Sequence, residues 1–228
     1  MDNLIIVGIS KTAIHLYSFV TYHKMFNVIG FAVNKEYKTV DSFCGLPVYC
    51  LETIKTEVQK DFYVFIAVLW NHLNRDRKIL YNYCRNQELK LTNIVSPLAI
   101  LRSPLTGDNC WIHDYVIIQN STTIEADVAI MGGSLIGANA HIGAHCFFGA
   151  HSVLGGGSSI GESSFVGIKA TIFDDVIIGK KCIIGACTAI KRNMPNYSKY
   201  STSSENIVIK QYTEDLIENK LVFSKNVR

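Results

Sequence analysis

The chain has no CxxC pair, no long basic cluster and no apolar run that could cross a bilayer, and each absence removes a class of function. Its seven cysteines are odd in number and lack paired spacing, so they read as free thiols of a reducing cytosol rather than a disulfide framework. The longest basic runs are Lys180-Lys181 and Lys191-Arg192, and the net charge over 228 residues is only +3, which argues against nucleic acid as a partner. The longest apolar stretch, Phe62 to Trp70, is far shorter than the ~20 residues of a membrane span. The opening "MDNLIIVGIS" has neither the basic n-region nor the small-residue cleavage site of a signal peptide, and reads as a first β-strand. With 48% hydrophobic and 18% charged residues, the composition suits a cytoplasmic globular protein of one or two domains.

Two periodicities divide what is present. Up to about residue 92, short apolar runs alternate with amphipathic segments. Leu4–Val7, Val28–Val33, Pro47–Cys50 and Phe62–Leu69 read as buried strands, and Lys11–His23, Leu51–Gln59 and Leu73–Gln87 as helices between them. That order predicts a small parallel sheet flanked by helices, a Rossmann-like domain. Its first turn, "GISKTA", keeps Gly8 and the hydroxyls of Ser10 and Thr12 but is not a full G-x-G-x-x-G. Ser10 equally suits a plain helix N-cap.

From Ile94 the apolar residue returns every sixth position: Ile94, Ile100, Thr106, Ile112, Ile118 and onward to Ile184 and Ile190, with no insertion. Four residues after most of these stands a small side chain, as at Ser134, Ala140, Cys146, Ser152, Ala170 and Cys182, and glycine often follows the apolar residue directly. This is the hexapeptide repeat of a parallel β-helix. Three hexapeptides make one triangular coil, so residues 18 apart stack. The expected organisation is 1–92 as a Rossmann-like domain, 93–195 as the β-helix, and 196–228 as an extension with a short amphipathic helix over Gln211–Asn219.

The repeat resembles the left-handed β-helix of hexapeptide acyltransferases. "LIIVGIS", "VIGFAVN", "GLPVY", "FIAV" followed by Arg75, and "IVSPLAIL" make residues 1 to about 195 similar to bacterial sugar acetyltransferases with a Rossmann-like N-terminal domain. That group includes N-acetyltransferases of nucleotide-linked amino sugars and sialic-acid O-acetyltransferases. The resemblance implies a homotrimer that uses acetyl-CoA and binds a nucleotide-linked sugar for surface polysaccharide or glycan synthesis. It also implies pantetheine against the backbone at Gly167-Ile168 and Gly185-Ala186, and nucleotide contacts at Ser10, Lys11, Thr12 and Asn34. Asn34 stands where an aspartate commonly meets the base. The closing "YSTSSENIVIK" departs from the G-x-P-A-like ending of that group.

In that group a histidine followed by an acidic residue takes a proton from the acceptor, and a second histidine contacts the thioester. These positions fall at Ala138, Asn139 and Phe147, none of which can act as a base. Replacement candidates lie nearby. His145 sits one 18-residue coil after Asp127, and stacked strands ~4.8 Å apart would let the carboxylate orient the imidazole. His141 faces outward on the strand leaving the Ala138 turn. His151, stacked near Lys169, and His113-Asp114, more than a coil upstream, are weaker candidates. Outward turns of a β-helix carry polar residues in any case. A free amine needs no strong base, whereas a hydroxyl does, so the missing histidine favours N- over O-acylation. A non-catalytic sugar-nucleotide-binding or assembly protein is the other reading.

No metal is expected. The histidine spacings of four and six differ from the H-x4-H of the γ-class carbonic anhydrases, which share the β-helix. Cys110, Cys146 and Cys182 occupy inward small-residue positions, Cys187 faces outward, and Trp70 is expected in the core of the first domain rather than stacked on a base.

Overall fold

The computed structural model describes residues 1–202 and 207–220. Five strands form the first sheet: β1 (Asn3–Val7), β2 (Asn27–Val33), β3 (Ser42–Phe43), β4 (Leu46–Cys50) and β5 (Tyr63–Ile66), in the order β3-β4-β2-β1-β5. Neighbours run parallel except for the β3–β4 hairpin. Both faces of β1 are covered, which is why it reads as an unbroken apolar run. Leu4 and Ile6 pack with Leu16, Phe19 and Val20 of helix α1 (Lys11–Tyr22). Ile5 and Val7 pack on the other side with Ile54 of the single turn α2 (Ile54–Glu57) and Cys84 of α3 (Arg75–Asn86). The helix expected over Leu51–Gln59 is therefore only that one turn, and the strand expected over Phe62–Leu69 is β5, which ends at Ile66.

From Ile94 to Ile190 the chain forms two-residue strands that, from Trp111 onward, pair in parallel with strands 18 residues on, giving three sheets around a triangular prism. Face one carries Trp111, Ala129, Phe147, Phe165 and Ile183 on its outside. Face two carries Ile117, Leu135, Val153 and Thr171, and face three Thr123, His141, Ser159 and Ile177. The hexapeptide residues from Ile112 to Ile190 and the compact residues from Val128 to Cys182 fill the interior together.

The first coil departs from the expected register. Val95 pairs with Ile112 and Leu101 with Ile118, so this coil is one residue short. Val95 and Leu101 point inward, while Ile100 is 51% exposed and Ile94 turns out into the core of the first sheet. The deficit falls beside Gly107, where a Cβ would stand 2.2 Å from the Ala126 nitrogen, so only glycine lets the chain cut this corner.

The outward row of face one explains how the halves join. Ile94, Trp111, Ala129 and Phe147 share a core with α1 and with β1 and β2, burying surface that a free β-helix would expose. After the last full coil, Ser198–Thr202 adds to face one beside Ile183–Ile184 and turns back antiparallel with Ile207–Gln211. The expected terminal helix shortens to α4 (Glu214–Glu218), because Gln211 still belongs to a strand. Lys181 holds α4 through Glu218 at 2.6 Å, and Glu218 accepts from Arg75 at 3.2 Å. Residues 203–206 and 221–228 of the expected extension lie outside the described residues.

Candidate functional site

The three edges of the prism carry the side chains with chemistry. On the edge between faces three and one, Asn109, Asp127, His145, Ser163 and Lys181 succeed one another, all with φ between +50° and +61°. Asn, Asp and His accept this left-handed turn better than most residues do. His145 Nδ1 meets Asp127 Oδ2 at 2.7 Å, so the one-coil stacking does bring these two together. The same carboxylate accepts from Arg77 Nε at 2.7 Å and Asn109 Nδ2 at 2.6 Å. Its charge is thus already matched by a guanidinium. The His145 side chain is 7% exposed, Asp127 is 0% exposed, and the Tyr81 ring lies edge-on to the imidazole at 5.3 Å.

Helix α3 runs along this edge and supplies the partners. Asn74 donates to the Ser164 carbonyl, Lys78 pairs with Glu162, and Tyr81 and Arg85 both bind Asp108. Burial and the Asp108 carboxylate hold the Tyr81 phenol above its ordinary pKa. The helix spacing of Asn74, Arg77, Lys78, Tyr81 and Arg85 marks one polar stripe, and that spacing is the signal by which sequence reasoning could have found Arg77.

His141 stands apart, on the open face three. Its Nε2 meets Glu125 Oε1 at 2.9 Å, and both side chains are 46% exposed. Glu125 also accepts from the Ala144 N–H at 3.0 Å, which fixes the carboxylate. This second histidine–carboxylate pair was not anticipated from the sequence, since His141 and Glu125 are 16 residues apart, on adjacent coils but not at equivalent positions.

Ala138 and Asn139 form part of the edge between faces two and three, immediately before His141, and Asn139 is exposed. Phe147 lies on face one, stacked on Phe165 at 5.2 Å and edge-on to Trp70 at 4.5 Å. Trp70 therefore bridges the two halves and is only partly buried, a correction to its expected place within the first domain. Its loop is unusual in backbone: Trp70, His72, Leu73 and Asn74 all have positive φ.

Gly167, Ile168, Gly185 and Ala186 lie on the edge between faces one and two, with Ile168 54% exposed. His151 is on that same edge, as is His113 two coils above it. Around His113 the structure gathers more than the expected pair: His113 Nε2 faces His15 Nε2 at 3.4 Å, and Asp114 Oδ1 lies 3.0 Å from His23 Nε2. Burial is the main cause that lowers the pKa of both His15 and His113, against the pull of Asp114.

In the first sheet the strand ends β4, β2, β1 and β5 line up along one carboxyl edge. Ser10 stands at the N-cap of α1 with no capping bond from its hydroxyl, a correction to the plain capping role. Lys11 is exposed and Thr12 half-buried beside it. Asn34, after β2, donates from Nδ2 to Glu52 Oε1 at 3.1 Å. Among the described residues no group of three or more His, Cys, Asp or Glu side chains could hold a metal ion, and no helix is long and apolar enough to cross a membrane.

Comparison with known proteins bears on this geometry. Residues 121–156 match the bacterial transferase hexapeptide (six repeats) family. No curated protein matches the chain in sequence. Among solved structures, a histidine mutant of perosamine N-acetyltransferase from Caulobacter crescentus, in complex with CoA and GDP-perosamine, superposes with a TM-score of 0.80 at 23% identity, covering 93% of this chain and 98% of that one. The acetyltransferase domain of PglB from Neisseria gonorrhoeae, in complex with acetyl coenzyme A, gives 0.76 at 18%, covering 88% and 96%. WeeI from Acinetobacter baumannii gives 0.55 at 13%, covering 91% and 100%. The chain shares their fold. This is the α/β domain followed by a β-helix of hexapeptide repeats, with the left hand that the resemblance implied. Ala138 and Asn139, where the resemblance placed the base, carry no titratable side chain.

Proposed function

We propose that the protein is an acyl-CoA-dependent N-acyltransferase, with acetyl-CoA as donor and a nucleotide-linked amino sugar as acceptor, working as a homotrimer in glycan synthesis. In this reading residues 1–92 take the nucleotide and the β-helix of residues 93–195 takes the thioester. The observation that carries it is the position of face two. The apolar outward row Ile117, Leu135 and Val153 lies between the edge bearing Gly167, Ile168, Gly185 and Ala186 and the edge bearing Ala138. Three chains joined through such faces would bring one chain's cofactor edge against the next chain's Ala138 edge. Similarity to an N-acetyltransferase complexed with CoA and GDP-perosamine supports the substrate classes.

The chemistry follows from what the edge lacks. An amine bound unprotonated attacks the thioester carbonyl carbon with its own lone pair. The C–S bond breaks, the thiolate leaves, and the surplus ammonium proton passes to the thiolate or to solvent. Positioning accounts for most of the acceleration. His141, paired with Glu125 next to the Ala138 turn, is the accessible candidate to receive that proton. His145 and Asp127 are the buried candidates, and the Arg77 bond and the closeness of α3 favour a joining role for them. An O-acyl acceptor would need a stronger base than this edge offers.

The test is to incubate the protein with acetyl-CoA and GDP-, UDP- or dTDP-linked amino sugars and follow the gain of one acetyl group by mass spectrometry. His141→Ala and His145→Ala are compared in the same assay. A loss of a hundredfold or more in kcat in one of them identifies the base. Small effects in both establish unassisted amine attack. Absence of acetyl transfer, with no calorimetric binding of acetyl-CoA at millimolar concentration, would sink the enzyme reading in favour of a sugar-nucleotide-binding or assembly protein.

A further inference from the structure

The loop from Trp70 to Asn74 is held in a backbone conformation that its residues disfavour. Trp70, His72, Leu73 and Asn74 have φ of +30°, +47°, +56° and +63°, and none of them is glycine. Such backbone persists only where its surroundings dictate it. Here they do so from two sides. Trp70 lies against Phe147, and Asn74 Nδ2 donates to the Ser164 carbonyl. Leu73, which is buried, packs with Ile183 of the prism and with Ile217 of α4.

Helix α4 is anchored for that contact. Ile217 is fully buried, whereas its neighbour Leu216 is exposed. Glu218 takes Arg75 at 3.2 Å on one oxygen and Lys181 at 2.6 Å on the other. One carboxylate thus ties the first residue of α3 to the edge between faces three and one. Lys181 also holds Glu214 at 2.5 Å. A helix of five residues does not stand by itself, so these contacts set its place.

The loop also borders a crevice. From β1 the chain builds outward through β2 to the β3–β4 hairpin, then crosses to β5 on the other side of β1. Open α/β sheets take ligands outside the carboxyl ends of their strands at such a switch point. The turn after β1 and the loop after β5 meet there: a Cβ on Gly8 would stand 3.4 Å from the Ala67 oxygen and 3.7 Å from the Val68 side chain. We propose that Ile217 and Glu218 are positioning residues, through which docked α4 holds the 70–74 loop, and with it Trp70 and one wall of this crevice, in place. By linkage, a ligand that bears on the loop and the docking of α4 strengthen each other by the same factor. That this ligand is a nucleotide rests on the nucleotide-linked-sugar reading above, whereas the hold of α4 on the loop does not.

Acrylamide quenching and amide hydrogen exchange on the full chain test it. Trp111 is buried, so quenching reports on Trp70. Ile217→Ala should raise the quenching constant about twofold. The Asn74 and Arg75 N–H groups, bonded to the Trp70 and His72 carbonyls, should exchange roughly tenfold faster or more in that variant, with exchange in the first sheet unchanged. Glu218→Gln keeps the shape without the charge and should act in the same direction. Leu216→Ala, on the exposed side of α4, should do neither. In calorimetry the best bound of GDP, UDP and dTDP should lose about tenfold in affinity in Ile217→Ala, and in the wild type it should slow exchange at the Ile217 N–H. A loop as protected in Ile217→Ala as in Leu216→Ala overturns the proposal. So does a loosened loop with nucleotide affinity unchanged, which leaves α4 as packing only. If the wild type binds no nucleotide at millimolar concentration, the sugar-nucleotide reading falls, and the quenching and exchange results by themselves decide whether α4 holds the loop.

Discussion

Arg77 Nε and Asp127 Oδ1 lie 2.7 Å apart, with side chains 2% and 0% exposed, and they join a helix of the first domain to an edge of the β-helix. A buried pair of this kind punishes the loss of one partner more than the loss of both, because the survivor is left charged and unsolvated. Arg77→Ala should therefore lower unfolding free energy by about 3–5 kcal/mol in urea titration. The double variant Arg77→Met, Asp127→Asn should recover a large part of that loss. If the single variant is as stable as the wild type, the joint is held by apolar packing alone.

Stability should fall on the acid side through the His15–His113 contact. Burial lowers both pKa values in the folded state, so the native protein resists protonation that the unfolded chain accepts near pH ~6.5. The contribution of the neutral pair is fully present above that pH and is lost as pH falls from there toward the lower folded values. His113→Asn should flatten the decline in melting temperature between about pH 6.5 and pH 5. An unaltered slope would show that other groups govern it.

Thiol reactivity should divide the cysteines by burial. Cys44 and Cys187 are exposed, whereas burial raises Cys84, Cys110 and Cys146 to about 12 and Cys182 to about 11. Iodoacetamide at pH 8 should modify Cys44 and Cys187 in the native protein and reach those four only after unfolding, as read by peptide mass mapping. Rapid native labelling of Cys146 would contradict the closed interior of the prism.

Gly137 holds adjacent coils at close range, because a Cβ there would stand 2.5 Å from the Gly156 nitrogen. Gly137→Ala must push backbone against backbone and should cost about 1–3 kcal/mol in chemical unfolding. Gly45→Ala meets nothing within 4 Å and differs in having only the strain of its φ of +76°. Similar losses in the two variants would mean that coil spacing adjusts freely.

Leu135, on the outside of face two, tests the proposed trimer. Leu135→Glu should lower the mass measured by light scattering from three chains to one, with the circular dichroism spectrum retained, since a charge buried between chains is costly and a charge on a free face is not. A wild-type protein that is monomeric at micromolar concentration would remove both the trimer and the cofactor groove between chains.

The sequence alone determined the repeating part of this protein. A residue in a β-helix meets its own counterpart one coil away, so a period of six with small residues four positions later specifies the interior, and the stacking of His145 on Asp127 follows from counting. The alternation of apolar runs in the first 92 residues likewise anticipated the parallel sheet, because both faces of its strands had to be covered. Tertiary structure decided what no period encodes. The first coil lost one residue of register because Ile94 and Trp111 packed outward on α1 while Val95 and Leu101 filled the prism. Arg77 found Asp127 only once α3 had settled along that edge, His141 found Glu125 across adjacent coils, and Asn34 received its orientation from a carboxylate 18 residues on. Each of these contacts joins elements whose relative placement depends on how two cores pack together, and hydrogen-bond partners a few ångströms apart are set by that packing rather than by spacing along the chain.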